Sequence, residues 1–572
     1  MPSQIQENWE AYQDKETGGQ TLNMYGYGDG GSGCTEEMLE MIRRFDKVSV
    51  MPKIEVTGGD AFLHKNLKDN TNLATWDGEL YLEMHRGTFT TKSNLKKANR
   101  TLEFKLRETE LRAALASLTG TSYPSEELTE CYKKFLLNQF HDILPGSHIH
   151  PVYEDAMNDY RSVSERLDAM LALTAGNEYF NSLNFTRSSI TFIEDENGAI
   201  TRHGVKGFWS IPTLAGLSTG TVAALPSKEN WLSTEFCDKC DCLVLETPYY
   251  RAKLSSDGSF VSLYDKELDR EWVKEGCGFN KLHLYADNPG VYDAWDILPN
   301  YKDVQVALNV DKPLALVSSD GSSAEFAVTF TTEKSTWKMI LRFFADSRAI
   351  EVENVVDWDE KHKLVKVNFG PDVLTRELVC DTSAGFVKRD LTKNTSWQQA
   401  RFEVCHHKWC DMSESGSGIA IINEGKYGVG LEKDEISLSL LRATIRPDIT
   451  SDIGHHDFCY TILPHSGDAV EAQVNKTAME YNVPLCKSNV TVPAALRDTL
   501  NNCGLYLQAM KRSEDGQFLI LRLSEQDGRR GKIAFPFEVQ TMNLIEDIEG
   551  STKVVSYHPF ELITVAVKPE DL

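Results

Sequence analysis

The chain has 572 residues, of which 41% are hydrophobic and 25% are charged. This composition is typical of folded globular proteins. A single hydrophobic core stops growing at roughly 250–300 residues, so we expect about two to four structural units. The formal net charge of -25 repels nucleic acids and anionic membrane surfaces, and we therefore expect neither as a partner.

The first residues and the lack of a long apolar run predict a cytoplasmic protein. Residues 1–9 (MPSQIQENW) lack the basic and apolar segments of a secretion signal, and no apolar run reaches the roughly 20 residues of a membrane span. We therefore expect reduced thiols. Cys237, Cys240 and Cys242 lie close together, but a structural zinc site needs four ligands, and no second pair follows at a matching spacing. We interpret them as ordinary thiols near the start of a strand.

Helical periodicity dominates residues 35–175. Thr35 occupies the N-cap position of a short apolar pattern, and a second pattern over 95–106 places Lys96 and Arg100 on its polar face. A third pattern begins at Ser125 and stops before Pro145, and a fourth carries apolar residues from Val152 to Met170. Short loops between such helices predict an antiparallel bundle of three or four helices.

The pattern changes from about residue 176 onward. Short alternating runs recur, as in residues 249–253, 326–330 and 365–369, and Asp-Gly pairs separate neighbouring runs. No helical segments alternate regularly with these runs, so antiparallel sandwiches fit better than a parallel sheet. The fold class is therefore α+β multidomain: an antiparallel helix bundle followed by large antiparallel β-sandwich domains. Residues 484–492 form a plausible boundary before a last small β unit.

Three segments carry a resemblance to one family. Residues 25–33 read YGYGDGGSG, residues 79–90 read ELYLEMHRGTFT, and residues 138–147 read NQFHDILPGS. In this order they resemble motifs of glycoside hydrolase family 38, the zinc-dependent α-mannosidases, and above all its cytosolic/vacuolar and bacterial branch. Further segments that resemble the family are 293–297 (DAWDI), 402–404 (FEV), 409–413 (WCDMS), 426–428 (KYG), 440–442 (LLR) with Pro447 and Asp452 after it, and 509–525.

The resemblance implies a domain order in which the catalytic domain is incomplete. The family begins with an α/β domain that carries a His-x-Asp metal pair and an aspartate nucleophile, and no such pair precedes Asp29. We therefore expect residues 1–34 to be the C-terminal remnant of that domain, 35–175 the helix bundle, 176–485 a large galactose-mutarotase-like β-sandwich region, and 486–572 a small C-terminal β domain. Ser32 and Cys34 depart from the Gly and Pro that are usual in the family.

The resemblance also implies the chemistry. Glycosyl transfer with retention uses two carboxyl groups about 5–5.5 Å apart, one as nucleophile and one as acid/base. The family adds one zinc ion that grips the sugar hydroxyls. The implied function is hydrolysis of terminal non-reducing α-D-mannosyl residues, with α-mannoside oligosaccharides as substrates. The zinc ligand set is incomplete in this chain, so the implied partner is an N-terminal catalytic chain or another copy of the protein.

His141 and Asp142 are the candidates for the metal site. The family's zinc histidine matches His141, and Asp142 is implied to bind the sugar or to orient the site. On the sequence alone, His141 also fits a histidine that stabilises the C-terminal end of a helix through the helix dipole. A carboxylate is disfavoured at that end, which supports a functional role for Asp142.

Asp29 is the candidate general acid/base that the resemblance implies. Gly28 and Gly30 beside it permit close approach of the backbone to a ligand. The alternative is a glycine-rich turn in which the carboxylate bonds to the local backbone. Phosphate binding is a weaker alternative, because no Lys-Ser/Thr pair follows the glycines.

His85 and Arg86 are the candidates for hydrogen bonds to the sugar. They end a strand-like run before Gly87, and the alternative is a surface pair on an edge strand. Further candidates that reach the site from the sandwich are Tyr292, Asp293, Arg442 and Asp452, whereas Trp295 and Trp409 fit core positions better than sugar platforms.

Two other functions remain open. The β-sandwiches fit a non-catalytic carbohydrate-binding module, and the chain also fits an inactive truncated fragment with an exposed apolar face. Calorimetric titration with mannose separates the first of these from an enzyme, and the association state tests the second.

Overall fold

The computed structural model describes residues 2–28, 31–45, 47–49, 52–68 and 73–572. The chain divides into a first compact unit that ends at Tyr81 and a second unit, Leu82–Leu572. The first unit contains the helices α1 (Pro2–Ala11), α2 (Lys15–Gly18), α3 (Glu36–Phe45) and α4 (Gly59–Leu67). Because α3 belongs to this unit, the division at residue 81 differs from the predicted boundary at residue 34.

The helix predicted after Thr35 is confirmed as α3. The Thr35 side chain accepts a hydrogen bond from the Met38 N–H at 3.2 Å, as an N-cap residue does. Glu36 and Glu37 lie in the first turn and Arg43 and Arg44 in the last, which suits the helix dipole.

The second unit opens with a short 3-10 turn, Arg86–Phe89, and three long helices. These are α5 (Ser93–Ser117), α6 (Ser125–Leu137) and α7 (His150–Ala172). Their shared apolar core contains Leu95, Leu102 and Leu106 from α5, Leu128 and Cys131 from α6, and Tyr160, Val163 and Leu167 from α7. The predicted helix bundle is therefore present. Helix α6 ends at Leu137, and residues 138–146 after it form successive turns.

Helix α5 is buried on more than one face. Leu111, Ala114 and Leu115 pack in a second core with the C-terminal sheet, apart from the bundle core. Lys96 and Arg100, on the predicted polar face, are each only 4% exposed, so this polar face is buried. The β domains cover that face, which the 3.6-residue period of the helix does not reveal.

The rest of the chain is mainly antiparallel β structure. The strands are β1 (Glu178–Asn181), β2 (Thr191–Glu194), β3 (Ile200–Arg202), β4 (Val205–Ser210), β5 (Ser218–Gly220), β6 (Ser233–Cys237), β7 (Cys242–Glu246), β8 (Tyr250–Leu254), β9 (Phe260–Asp265), β10 (Arg270–Glu271), β11 (Phe279–Ala286), β12 (Gln305–Val306), β13 (Asn309–Ser319), β14 (Ser323–Thr331), β15 (Thr336–Phe344), β16 (Ile350–Trp358), β17 (Lys363–Phe369), β18 (Glu377–Thr382), β19 (Gly385–Asp390), β20 (Glu403–Cys405), β21 (Trp409–Glu414), β22 (Ser417–Asn423), β23 (Gly428–Leu431), β24 (Ile436–Ala443), β25 (Gly454–Ser466), β26 (Cys486–Ser488), β27 (Tyr506–Arg512), β28 (Leu519–Ser524), β29 (Gly531–Met542), β30 (Ile548–Tyr557) and β31 (Leu562–Val567). Short helices α8 (Ser396–Ala400), α9 (Val474–Asn482) and α10 (Ala494–Leu500) and the 3-10 turns Tyr301–Asp303 and Pro569–Asp571 connect them.

The two largest sheets are built from strands distant in sequence. A nine-stranded sheet has the order β13-β14-β15-β16-β25-β22-β21-β18-β19, and a six-stranded sheet has the order β12-β11-β17-β24-β23-β20. Smaller sheets have the orders β10-β9-β8-β7-β6, β2-β4-β3 and β26-β1-β5, and the C-terminal sheet has the order β27-β28-β31-β29-β30. The predicted α+β multidomain class is thereby confirmed.

The predicted Asp-Gly turns are confirmed. Gly258, Gly321 and Gly516 have φ values of 78°, 79° and 72°, which glycine adopts without the clash that a Cβ atom causes. No helix in the described part of the chain is both long enough and apolar enough to cross a bilayer.

Candidate functional site

The loop after α6 is anchored by buried polar contacts. Asn138 is 2% exposed and donates to the Lys134 carbonyl at 3.0 Å. Gln139 donates to the Asn99 side chain at 2.6 Å. The Lys96 ammonium donates to the Leu144 and Pro145 carbonyls at 2.9 and 3.2 Å. Burial lowers the pKa of Lys96 to about 7, and Asp452 opposes this shift.

Gly146 permits the loop to approach the start of α5. Its φ is +86°, and a Cβ atom there would lie 2.5 Å from the Thr91 carbonyl oxygen and 2.9 Å from Lys92 Cβ. Both the conformation and the available space therefore require glycine. This contact places residues 141–147 beside Thr91 and Lys92.

His141 and Asp142 project from this anchored loop. The His141 side chain is 77% exposed, and its Nε2 lies 3.8 Å from Asp142 Oδ2. The Ser147 hydroxyl, which is buried, donates to Asp142 Oδ1 at 2.7 Å. His141 therefore presents an exposed imidazole, whose ring centre lies 4.2 Å from that of Phe140, beside an oriented carboxylate.

The position of His141 differs from the prediction in one respect. Asn138 is the C-cap of α6, so His141 lies beyond the helix in the turn segment and not at its end. The dipole effect falls off within the last turn of a helix, so it explains neither His141 nor Asp142.

His85 lies where an irregular segment enters the 3-10 turn. It has a left-handed backbone (φ 61°), it is exposed, and its carbonyl accepts the Thr88 N–H at 3.2 Å. The predicted strand before it is absent, since residues 79–84 have no strand pairing. His85 thus caps a turn and does not end an edge strand.

Arg86 points into the protein. Its side chain is 7% exposed, and its guanidinium donates to the Glu83 and Ala400 carbonyls at 2.5 and 2.9 Å. It also lies 4.5 Å from the centre of the Phe402 ring, within the range of a cation–π contact. This geometry makes Arg86 an anchor of the segment that carries His85.

The candidates from the sandwich bind the same segment from the other side. Arg442 is 0% exposed, pairs with Asp287 at 2.5 Å and donates to Thr91 Oγ1 at 3.1 Å. Asp452 accepts the Lys92 and Ser93 N–H groups, each at 2.7 Å, at the start of α5. They are buried links between the sheets and the bundle.

The remaining candidates divide by exposure. Asp293 is 0% exposed and accepts the Ile445 and Arg446 N–H groups at 2.7 and 2.9 Å. Tyr292 is 70% exposed, and its ring lies 5.7 Å from that of the half-buried Trp295. Trp409 is 2% exposed, as expected for a core residue.

Asp448 contributes a buried negative charge to this region. It pairs with Lys92, and its Oδ2 lies 3.1 Å from His150 Nδ1. Burial would raise its pKa, but the hydrogen bonds from Lys92 and Thr450 hold the pKa well below its usual range. Asp448 is therefore an ionised partner of the Lys92 ammonium.

Asp29, the predicted acid/base, lies outside the described residues. Nearby Gly26, Gly28 and Gly31 have positive φ values of 137°, 54° and 66°. The first unit also contains a cavity of about 870 Å³, lined by residues that include Trp9, Tyr25, Ile42 and Phe62.

Comparison with known families decides the relationship. Residues 1–79 match the Glycosyl hydrolases family 38 N-terminal domain, 83–176 the Alpha mannosidase middle domain, 245–450 the Glycosyl hydrolases family 38 C-terminal domain, and 504–565 its C-terminal beta sandwich domain. The chain belongs to glycosyl hydrolase family 38. The N-terminal domain match extends past the residue 34 that the motifs predicted.

Individual relatives support this membership. The chain is 30% identical to human Alpha-mannosidase 2C1 over 90% of its own length and 51% of the relative's. It is 31% identical to Alpha-mannosidase of Saccharomyces cerevisiae over 81% of its length and 43% of the relative's. The chain thus spans about half the length of the curated relatives it matches.

Solved structures support the fold. The crystal structure of an alpha-mannosidase from Enterococcus faecalis V583 superimposes with a TM-score of 0.71 over 94% of this chain and 75% of that one, at 13% identity. This likeness concerns the fold alone.

The His141–Asp142 pair fits a family 38 zinc ion in part. An imidazole nitrogen and a carboxylate oxygen are ligands that zinc accepts, and the Ser147 hydroxyl orients the carboxylate as outer contacts orient metal ligands. Within the described ranges, no third His, Cys, Asp or Glu ligand atom lies within 4.8 Å of both. The pair would supply two ligands to an ion that needs at least three from the protein.

Sequence reasoning missed Lys96 and Ser147 as supports of this loop. Ser147 ends the motif itself, so its hydroxyl five residues after Asp142 was a usable signal. Lys96 offered none, because its carbonyl partners lie 48 and 49 residues away.

Proposed function

We propose that this chain acts in the hydrolysis of terminal non-reducing α-D-mannosyl residues, with zinc and with retention of configuration. The observation that carries the proposal is the outward-facing pair His141 and Asp142, on a loop whose other polar motif residues are buried or bonded inward. Burial of such anchors explains a stable loop, whereas the imidazole is 77% exposed and packs only against the neighbouring Phe140 ring among the described ring contacts. Family membership supplies the reaction class.

The roles of the residues follow from their positions. When bound, zinc supplies a Lewis acid and a template for the sugar hydroxyls. His141 would hold the ion through a ring nitrogen, and Asp142 would hold it or accept a sugar hydroxyl, with Ser147 fixing its rotamer. His85 would donate to the sugar from its exposed turn, and Arg86 would act through the position of His85. Asp29 keeps the proposed role of general acid/base.

The substrates we propose are α-mannoside oligosaccharides. The nucleophile and the other zinc ligands belong, in this proposal, to a catalytic portion outside the His141 loop, provided by a longer chain or by a second chain. The relatives named α-mannosidase support the substrate class, because the sequence similarity covers most of this chain.

Hydrolysis of a chromogenic α-mannoside tests the proposal. The natural gene product that contains these residues is assayed with zinc, after chelation, and as the His141→Ala variant. We expect zinc-dependent hydrolysis and, by NMR, a first product of retained α-configuration. We expect His141→Ala to lower kcat/KM by at least about 100-fold, because loss of a residue that only supports a metal ligand already costs about 10–100-fold.

Two results would contradict this function. Hydrolysis that survives both chelation and His141→Ala would remove zinc and His141 from the mechanism. Absence of hydrolysis, combined with calorimetric mannose binding that persists in His141→Ala, would instead identify a carbohydrate-binding module.

A further inference from the structure

Three side chains of the kinds that can bind a metal ion meet in the β domains. His203, Glu424 and Cys459 are distant in sequence, yet His203 Nε2 lies 2.7 Å from Glu424 Oε1 and 3.3 Å from Cys459 Sγ. All three potential ligand atoms lie within 4.8 Å of one another. None of these residues belongs to the His141 loop.

The fold aims the imidazole at the other two side chains. His203 occupies the turn between the paired residues Arg202 and Val205, with a left-handed backbone (φ 50°). The His203 backbone N–H donates to Glu353 Oε1 at 2.8 Å, and this hydrogen bond fixes the turn. The other ring nitrogen, Nδ1, lies 3.0 Å from Asp457 Oδ2. A carboxylate beside the second ring nitrogen is the usual support of a metal-bound histidine.

The partners come from adjacent strands of the nine-stranded sheet. Cys459 lies on β25 and is 0% exposed, and Glu424 directly follows β22. The Cys459 backbone N–H donates to Glu424 Oε1 at 2.9 Å, which holds this carboxylate beside Cys459. The His203 and Glu424 side chains are 14% and 17% exposed, which leaves a route from solvent.

The local charge is suited to a cation. The Arg202 guanidinium donates to Glu424 Oε2 at 3.2 Å, and the other carboxylate oxygen, Oε1, faces the His203 imidazole. Five carboxylates surround three basic side chains in this network: Glu325, Glu351, Glu353, Glu424 and Asp457 against Arg202, Arg342 and Lys97. The five carboxylates exceed the three basic side chains by two negative charges, and this excess offsets the charge of a divalent cation.

We propose that His203, Glu424 and Cys459 form a site for one divalent cation of the zinc class, with water as the fourth ligand. Imidazole nitrogen, thiolate sulfur and carboxylate oxygen are the three ligand types that zinc takes. On binding, the Cys459 S–H bond breaks, sulfur donates to the metal, and the proton leaves to the buffer. The ion would tie the small β2-β4-β3 sheet to β22 and β25. The same distances also fit a metal-free ion pair of protonated His203 with Glu424 and Asp457, and the test separates the two.

Cobalt titration of the metal-free 572-residue chain tests the site. We expect a thiolate-to-cobalt charge-transfer band in the near ultraviolet that saturates at about one ion per chain and disappears on zinc addition. Cys459→Ala and His203→Asn should abolish the band. Cys410→Ala is the matched control, because Cys410 is a buried thiol on β21 of the same sheet, and it should keep the band. His141→Ala should keep it as well, which separates this site from the proposed mannosidase zinc.

Two outcomes would overturn the site. A folded wild-type chain that gives no thiolate band with cobalt leaves the ion pair as the explanation, and so does a band that survives Cys459→Ala. Glu424→Gln keeps the size of the side chain and serves where Cys459→Ala does not fold. We expect it to weaken cobalt binding by at least about 10-fold, and unchanged binding would contradict the ligand set.

Discussion

At the scale of single residues, Gly146 sets the position of the His141 loop. We expect Gly146→Ala to destabilise the protein by about 2–4 kcal/mol, because it combines a left-handed backbone with overpacking against Thr91. Urea unfolding measures this. Gly120→Ala is the control, since Gly120 also has a positive φ (98°) but a Cβ atom there would meet no other atom within 4 Å. A loss no larger than that of the control would contradict the packing argument.

Ser147 orients Asp142 without facing solvent itself. Under the proposed function, we expect Ser147→Ala to lower kcat/KM by about 10–100-fold, because the carboxylate loses the contact that fixes it. The free energy of unfolding should change by only about 1 kcal/mol. Ser117→Ala removes a comparable hydroxyl bond, to the Ala114 carbonyl, and should leave kinetics unchanged. A fall in stability that matches the kinetic loss would indicate a merely structural role.

The sequence motifs marked the residues that face outward, but they did not show which of the charged residues are buried. His141 and Asp142 project from the loop that the motif marked, although their metal and sugar roles stay predictions. Arg86 and Arg442 carry the same charged side chains that serve sugar sites, but the structure buries both. Their partners lie 314 and 155 residues away, and no local pattern encodes such contacts.

At the scale of elements, α5 shows where periodicity stops being informative. The apolar residues Leu102 and Leu106 predicted the helix and its bundle face correctly. The period of the helix does not show whether its polar face is solvated, and Arg107 is buried there and donates to the Leu507 and Ser182 carbonyls at 2.9 and 3.1 Å. A helix between two cores satisfies buried polar groups through distant carbonyls, which only the tertiary fold supplies.

The burial of Glu110 on α5 makes the free energy of unfolding depend on pH. Burial raises its pKa to about 7, partly offset by Lys511 and by a hydrogen bond with Tyr132. The unfolded chain releases this proton near pH 4.3, so the contribution of Glu110 to stability is complete below that pH and is lost as the pH rises to 7. We therefore expect Glu110→Gln to gain up to about 3 kcal/mol relative to wild type between pH 4.5 and 8.

Urea unfolding across this pH range checks the Glu110 prediction. Glu165→Gln, at an exposed position of α7, is the matched control and should follow the wild-type curve. A Glu110→Gln difference that stays constant with pH would show that the buried carboxyl keeps its ordinary pKa.

At the scale of the whole molecule, turn chemistry predicted the class of fold but not its sheet order. Asp-Gly pairs and alternating runs marked antiparallel strands correctly. They did not reveal that β16 pairs with β25, about a hundred residues later, because strand pairing between Ile350 and Ile462 depends on the packing of whole layers. The division of the chain at residue 81 likewise depends on contacts between residues distant in sequence, and the pattern around Thr35 does not reveal those contacts.

The segment 73–85 between the compact parts of the two units is where we expect the chain to be cut first. It has neither helix nor strand pairing, and Trp76, Leu80, Leu82 and Met84 are exposed. Proteases need an extended, accessible backbone, so limited chymotrypsin digestion should cleave after one of these four side chains before it cuts the bundle or the sheets. Mass spectrometry of the first fragments checks this. Replacing all four by Gln should slow the first cut severalfold, and an initial cut within α5 to α7 would contradict the division into units.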